Sequence, residues 1–108
     1  MSESNERGAL TEAVYYILLS LFTPMHGYAI MQNVRELSNE RLNIGPGTLY
    51  GAINTLLEKK WIRYIEGEWD SRKKEYEITQ SGQQVVIQEI QRLEELIGNG
   101  KRIAGGEF

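Results

Sequence analysis

The stretch Gly45-Pro46-Gly47-Thr48-Leu49-Tyr50-Gly51-Ala52-Ile53-Asn54-Thr55-Leu56-Leu57-Glu58-Lys59-Lys60-Trp61 decides the fold. Gly45 can N-cap a helix, and Pro46 at the first helical position lacks only an N–H that would be orphaned there anyway. At about 100° per residue, Leu49, Ala52, Ile53, Leu56 and Leu57 gather on one face. Gly47, Gly51, Asn54 and Glu58 fall opposite, with Thr48, Tyr50 and Thr55 on the flanks. That outer face is short-chained and mostly neutral near its start, whereas a surface helix without a partner usually carries more Lys, Glu and Arg. A bulky partner can approach its backbone closely. This is the property of a DNA recognition helix.

Upstream, two more helices precede it. Apolar residues at Leu10, Val14, Ile17, Leu18 and Leu21 keep helical spacing, and Ala13 to Phe22 is apolar almost all round, so this helix is expected to be buried on several sides. A small domain can hardly cover it alone, which points to a second subunit. Thr23-Pro24 ends it. His26-Gly27 then opens a helix through Leu37, with Ile30, Val34 and Leu37 inward and Gln32, Asn33, Arg35 and Glu36 outward. Three helices with short links match a helix-turn-helix core.

Downstream, the period changes to two. Ile62 and Tyr64 alternate with Arg63, and Lys74, Tyr76 and Ile78 with Glu75 and Glu77; Glu66-Gly67-Glu68-Trp69-Asp70-Ser71 connects them. This is a hairpin, or wing. Thr79 can N-cap a last helix to about Ile97, in which Val86, Ile90, Leu93 and Ile97 step as in a coiled-coil seam and Val85, Ile87 and Leu96 widen the stripe. Gly98-Asn99-Gly100 is expected to stop it. The fold expected is mainly α with a small β-hairpin, a winged helix-turn-helix plus a C-terminal dimerisation helix. Its parts are a flexible arm at 1–8, the DNA-binding domain at 9–79, the dimerisation helix at 80–97 and a flexible tail at 98–108.

Composition sets limits. A chain of 108 residues suits one small domain. With no cysteine and one histidine, disulfides, zinc thiolate sites and Cys nucleophiles are excluded and a metal site is not expected; no cofactor is implied. No apolar run reaches membrane-spanning length and Met1 to Glu6 does not resemble a signal peptide, so a cytoplasmic protein is expected, without a membrane partner. The net charge of −3 opposes phosphate binding, but Arg72-Lys73-Lys74 forms a compact basic run, apart from Glu89, Glu94 and Glu95.

The residues expected to touch double-stranded DNA are Thr48, Tyr50, Gly51, Asn54, Thr55, Lys59, Arg72, Lys73 and Lys74. An amide such as Asn54 can pair bidentately with adenine. Thr48, Tyr50 and Thr55 can reach phosphates or thymine methyls, and the basic run can reach phosphates or the minor groove. No Arg occupies the recognition face, so sequence preference leans on DNA shape and weak contacts. Lys59 and Lys60 end a helix, where the dipole favours cations regardless of DNA. Trp61 is expected in the core, Trp69 packed on the hairpin, and His26 in a local cap. The homodimer is expected to use Tyr15, Leu18, Val86, Ile90, Leu93 and Ile97. Tyr15, Tyr16, Phe22 and Met25 suit core or interface, and an apolar dimer centre lined by aromatics could admit a planar effector.

Leu10-Thr11-Glu12-Ala13-Val14-Tyr15-Tyr16-Ile17-Leu18, His26-Gly27-Tyr28-Ala29-Ile30, Gly45-Pro46-Gly47-Thr48-Leu49-Tyr50 and Arg72-Lys73-Lys74-Glu75-Tyr76-Glu77-Ile78-Thr79-Gln80-Ser81-Gly82 together resemble the PadR family of bacterial transcriptional regulators, over roughly residues 9–97. The resemblance is to the shorter branch, with a single C-terminal helix. It implies a homodimeric winged-helix regulator, often a repressor released by a small molecule. Gly45 and Gly51 stand where many members have Ser and Pro. Some relatives hold flat aromatic drugs against a tryptophan of the last helix, and this chain has none there. A winged-helix module that binds protein rather than DNA is the alternative function. No nucleophile–base pair, Gly-rich phosphate loop or metal cluster suggests an enzyme.

Overall fold

The computed structural model describes residues 8–66 and 74–105. In chain order the elements are α1 (Glu12–Ser20), β1 (Met25–His26), α2 (Gly27–Leu37), α3 (Pro46–Glu58), β2 (Ile62–Glu66), β3 (Lys74–Ile78) and α4 (Gln80–Ala104). The fold is mainly helical with a small antiparallel sheet, as expected. The sheet has three strands rather than two, in the order β1-β3-β2. Ile62 stands opposite Ile78 and Tyr64 opposite Tyr76, while the short β1 sets Met25 beside Tyr76 and His26 beside Glu75. Two residues carry no readable alternation, so β1 is invisible in the sequence; its pairing comes from the tertiary fold.

Local signals place the helix starts. Thr11 accepts a hydrogen bond from the Val14 N–H, the His26 Nδ1 from the Ala29 N–H at 3.4 Å, and Thr79 from the Gly82 N–H at 3.1 Å. Gly45 precedes α3 in an extended conformation with Pro46 at the first turn, as the sequence predicts. The Thr79 hydroxyl also donates to the Lys60 carbonyl at 2.7 Å, and the Thr79 N–H donates to the Trp61 carbonyl at 2.9 Å. One threonine thus ties the end of α3 to the start of α4.

Two helices end in the same way. After α3 the Lys60 N–H donates to the Leu57 carbonyl and the Trp61 N–H to the Leu56 carbonyl, with Lys60 at φ 64°. After α2 the Asn39 and Glu40 N–H groups reach Glu36 and Arg35, with both residues at positive φ. These are Schellman closures, which satisfy the last carbonyls.

Ile17, Leu18, Leu21, Ile30, Val34, Leu49, Ile53, Leu56, Ile62, Tyr76, Ile78, Val85 and Val86 form one core. The inner face of α3 is the one expected from its period, with Ala52 and Leu57 packed at the rim. Trp61 is half-buried against the same cluster. Leu37, expected inward, is 42% exposed at the last position of α2. Asn33, expected outward, donates to the Ser20 hydroxyl at 2.9 Å, and Ser20 in turn donates to the Tyr16 carbonyl, a polar link between α1 and α2.

The largest departure is in the last helix. It passes through Gly98-Asn99-Gly100 and ends at Ala104, with Gly105 at φ 79° and its N–H bonded to the Lys101 carbonyl. A glycine lowers helix propensity by about 1 kcal/mol without stopping the helix; the stop comes where a glycine takes the left-handed conformation. Residues 98–104 are therefore helix rather than a flexible tail. The expected arm, apart from Gly8, lies outside the described residues.

Candidate nucleic-acid interface

The outer face of α3 is built by its own periodicity. With Leu49, Ile53 and Leu56 held in the core, Gly47, Thr48, Tyr50, Gly51, Asn54, Thr55 and Glu58 all remain exposed. A Cβ added at Gly47 or Gly51 would meet nothing within 4 Å, so packing gives no reason for either glycine. The Thr55 hydroxyl donates back to the Gly51 carbonyl at 3.2 Å, leaving its lone pairs outward. Among the described residues no hydrogen bond engages the side chain of Asn54 or Thr48. The face carries no bulky ion pair that a partner would have to displace.

Three tyrosines of α2, α3 and β2 are exposed. Tyr28, at the start of α2, is 62% exposed, Tyr50 43% and Tyr64 44%. Tyr64 packs its ring 6.2 Å from that of Tyr76, and the Lys74 ammonium lies 5.9 Å from the Tyr64 ring centre. The Tyr76 phenol is pushed above its ordinary value by burial, and secondarily by the neighbouring Tyr50 and Tyr64 phenols. A row of phenols thus runs from Tyr50 on α3 to Tyr76 and Tyr64 on the two longer strands, with Lys74 at its end. Neither Tyr28 nor Tyr64 is singled out by sequence reasoning. For Tyr28 the signal available was a large ring opposite the inner stripe of its helix; Tyr64 shares the alternation of Ile62, so its exposure carries no such signal.

Of the nine residues expected to meet DNA, the structure sets Thr48, Tyr50, Gly51, Asn54 and Thr55 on one exposed helix face. Lys74 begins β3, opposite Glu66. Lys59 follows the helix end, its ammonium 5.1 Å from the Trp61 ring, a local contact that accounts for it without DNA. Arg72 and Lys73, together with Glu68, Trp69 and Asp70, lie outside the described residues.

The expected dimer residues divide. Leu18 and Val86 are 0% and 2% exposed within a single chain and belong to its core, so neither is available to a partner. The reason is geometric: α1 packs directly on α4, and the apolar stripe of α4 begins inside the domain before it emerges. Tyr15 and Leu93 are half-buried, and Ile90 and Ile97 are exposed, joined by Ile87, Leu96 and Ile103. Glu89, one of the acidic residues of this late segment, is buried and takes a two-toothed hydrogen bond from Arg92. Burial raises the nearby Tyr15 phenol, and the Glu89 charge raises it further.

No helix among the described residues is long and apolar enough to cross a membrane, and no three metal-ligating side chains cluster among them.

A transcriptional regulator from Clostridium thermocellum is 29% identical and superposes with a TM-score of 0.64, covering 100% of this chain and 99% of that one. A PadR family transcriptional regulator from Eggerthella lenta is 21% identical with a TM-score of 0.66, over 84% of this chain and 76% of its own. It shares the fold. An uncharacterized 37.1 kDa protein of a Streptomyces fradiae transposon is 35% identical over 75 residues, 69% of this chain. The present chain spans only 21% of that protein's length. The Transcriptional regulator PadR-like family model matches residues 16–88, which is more than half of the sequence. On that match, and with the helix order and winged sheet described above, the chain belongs to the PadR-like family of transcriptional regulators.

Proposed function

We propose that this protein regulates transcription by binding double-stranded DNA with α3 in the major groove, as a homodimer on a pseudo-palindromic operator. The observation that carries the reading is the outer face of α3: exposed, short-chained and free of ion pairs, over a fully apolar inner face. Asn54 is the base-reading residue, Thr48, Tyr50 and Thr55 serve the backbone and thymine methyls, and Arg72, Lys73 and Lys74 supply positive charge. The exposed apolar residues of α4 join the two copies. The proposed division of the chain is a DNA-binding unit over 9–79 and a dimerisation helix from residue 80 on. Repression by occupancy of the operator, relieved by a planar effector at the dimer centre, is the regulatory sense that fits this arrangement. An intracellular site of action follows from DNA binding.

The test is DNA selected from a random pool, with affinity measured from about 50 to about 200 mM salt; phosphate contacts should make binding fall steeply over that range. Asn54→Ala should lower the preference for the selected site by about tenfold. Lys73→Ala should weaken selected and unrelated duplexes alike. A protein that selects no sequence and shows no salt dependence would favour the protein-binding module instead.

A further inference from the structure

Gly27 opens α2 and is buried, and a Cβ built on it would lie 2.2 Å from the Tyr50 Oη, 2.7 Å from its Cζ and 3.3 Å from Leu49 Cδ2. The space a side chain would take at residue 27 is filled by the outer end of the Tyr50 ring. Tyr50 is thus anchored at its far end although it stands on the exposed side of α3. Among the described residues nothing hydrogen-bonds its hydroxyl. A held phenol with an unused hydroxyl, between the start of α2 and the second turn of α3, is a group prepared for a partner outside the chain.

We infer that Gly27 is a positioning residue for DNA binding: it fixes the Tyr50 phenol at the α2–α3 junction as a preset hydrogen-bond donor to one backbone phosphate. This rests on the DNA-binding reading and adds to it a residue that itself touches no DNA. Setting the ring before the encounter removes the rotamer freedom that a long exposed side chain otherwise loses on binding. Any side chain at residue 27 displaces the ring, because the obstacle is the far end of a side chain that can swing away rather than backbone. The domain therefore keeps its fold while the phenol is misplaced. A phosphate contact carries no base information, so the loss falls equally on every duplex.

The test combines affinity with spectroscopy on the full chain. Tyr50→Phe, which keeps the ring and removes the hydroxyl, should weaken selected and unrelated duplexes by the same factor, about tenfold. Gly27→Ala should weaken binding to a similar extent. In a Tyr50→Ala background the same Gly27→Ala change should alter affinity by less than about twofold, since nothing remains to displace. If Gly27→Ala costs as much in that background, Gly27 acts structurally and the inference fails. Should Gly27→Ala fold poorly, proton NMR of the unaltered protein decides. One Gly27 α-proton should show a ring-current shift that disappears in Tyr50→Leu and persists when duplex DNA is added. Absence of that shift, or its loss in the complex, overturns the proposal. Normal binding by Tyr50→Phe with impaired binding by Asn54→Ala would refute the inference and leave DNA recognition standing. Absence of DNA binding by the unaltered protein would refute both.

Discussion

At one position of this fold no side chain fits. At Gly82 an added Cβ would lie 2.1 Å from the Trp61 carbonyl oxygen, which is fixed by its hydrogen bond from Thr79. A backbone carbonyl cannot swing aside as the Tyr50 ring can, so Gly82→Ala should destabilise by about 3 kcal/mol in chemical denaturation. Lys60 shows the opposite case. It occupies the left-handed closing position of α3 at φ 64°, where a glycine carries no steric cost, and Lys60→Gly should stabilise by about 1 kcal/mol. Arg41 donates to both oxygens of Glu12, one bond being 3.1 Å, and so ties the loop after α2 to the first turn of α1. That hydrogen bond, aided by the Arg41 charge, lowers the Glu12 pKa below its ordinary value. A carboxylate whose folded value is depressed stabilises above its unfolded value and loses that contribution as pH falls through the folded one. Arg41→Ala should therefore be less stable than the parent at neutral pH, and the difference should shrink as acid titrates the carboxylate. A difference unchanged at low pH would assign it to packing.

At the level of elements, α3 was legible because three independent signals agreed: Pro46 at the start, a clear inner stripe, and a polar face that is uncharged until Glu58 at its end. The helix caps at Thr79 and His26 were equally readable. What escaped reading was tertiary in origin. The β1 strand is two residues long and exists because β3 offers an edge to it. Glu89 falls within the apolar stripe of α4, but its charge argues for water; in the fold it is buried and hydrogen-bonded to Arg92 three residues on. In sequence Gly98 and Gly100 look like terminators of α4, whereas among its described glycines it is Gly105 that takes the left-handed turn. Both helical glycines face open space. Replacing each by Ala should raise stability by up to about 1 kcal/mol, read as an increase in denaturation midpoint, without altering DNA affinity. No gain from either would mean that the last two turns of α4 are frayed in solution.

For the whole molecule, the long α4 carries the chain to extents of 53 × 33 × 21 Å, so its second half stands clear of the domain. Ile90, Leu96, Ile97 and Ile103 lie exposed along it, an apolar surface a single copy cannot cover. Sedimentation should give a dimer at micromolar concentration, and Ile97→Glu should shift it to monomer; a folded monomer in the parent would remove the two-fold operator from the account. The central claim is that the outer face of α3 meets DNA, and Asn54→Glu tests it most directly. Asn54 is exposed and glutamate is the better helix former, so the fold should be kept and its melting temperature should not fall. A carboxylate set against the phosphates should nevertheless reduce affinity for the selected duplex by roughly a hundredfold. Affinity equal to that of the parent would show that DNA, if bound at all, is bound elsewhere.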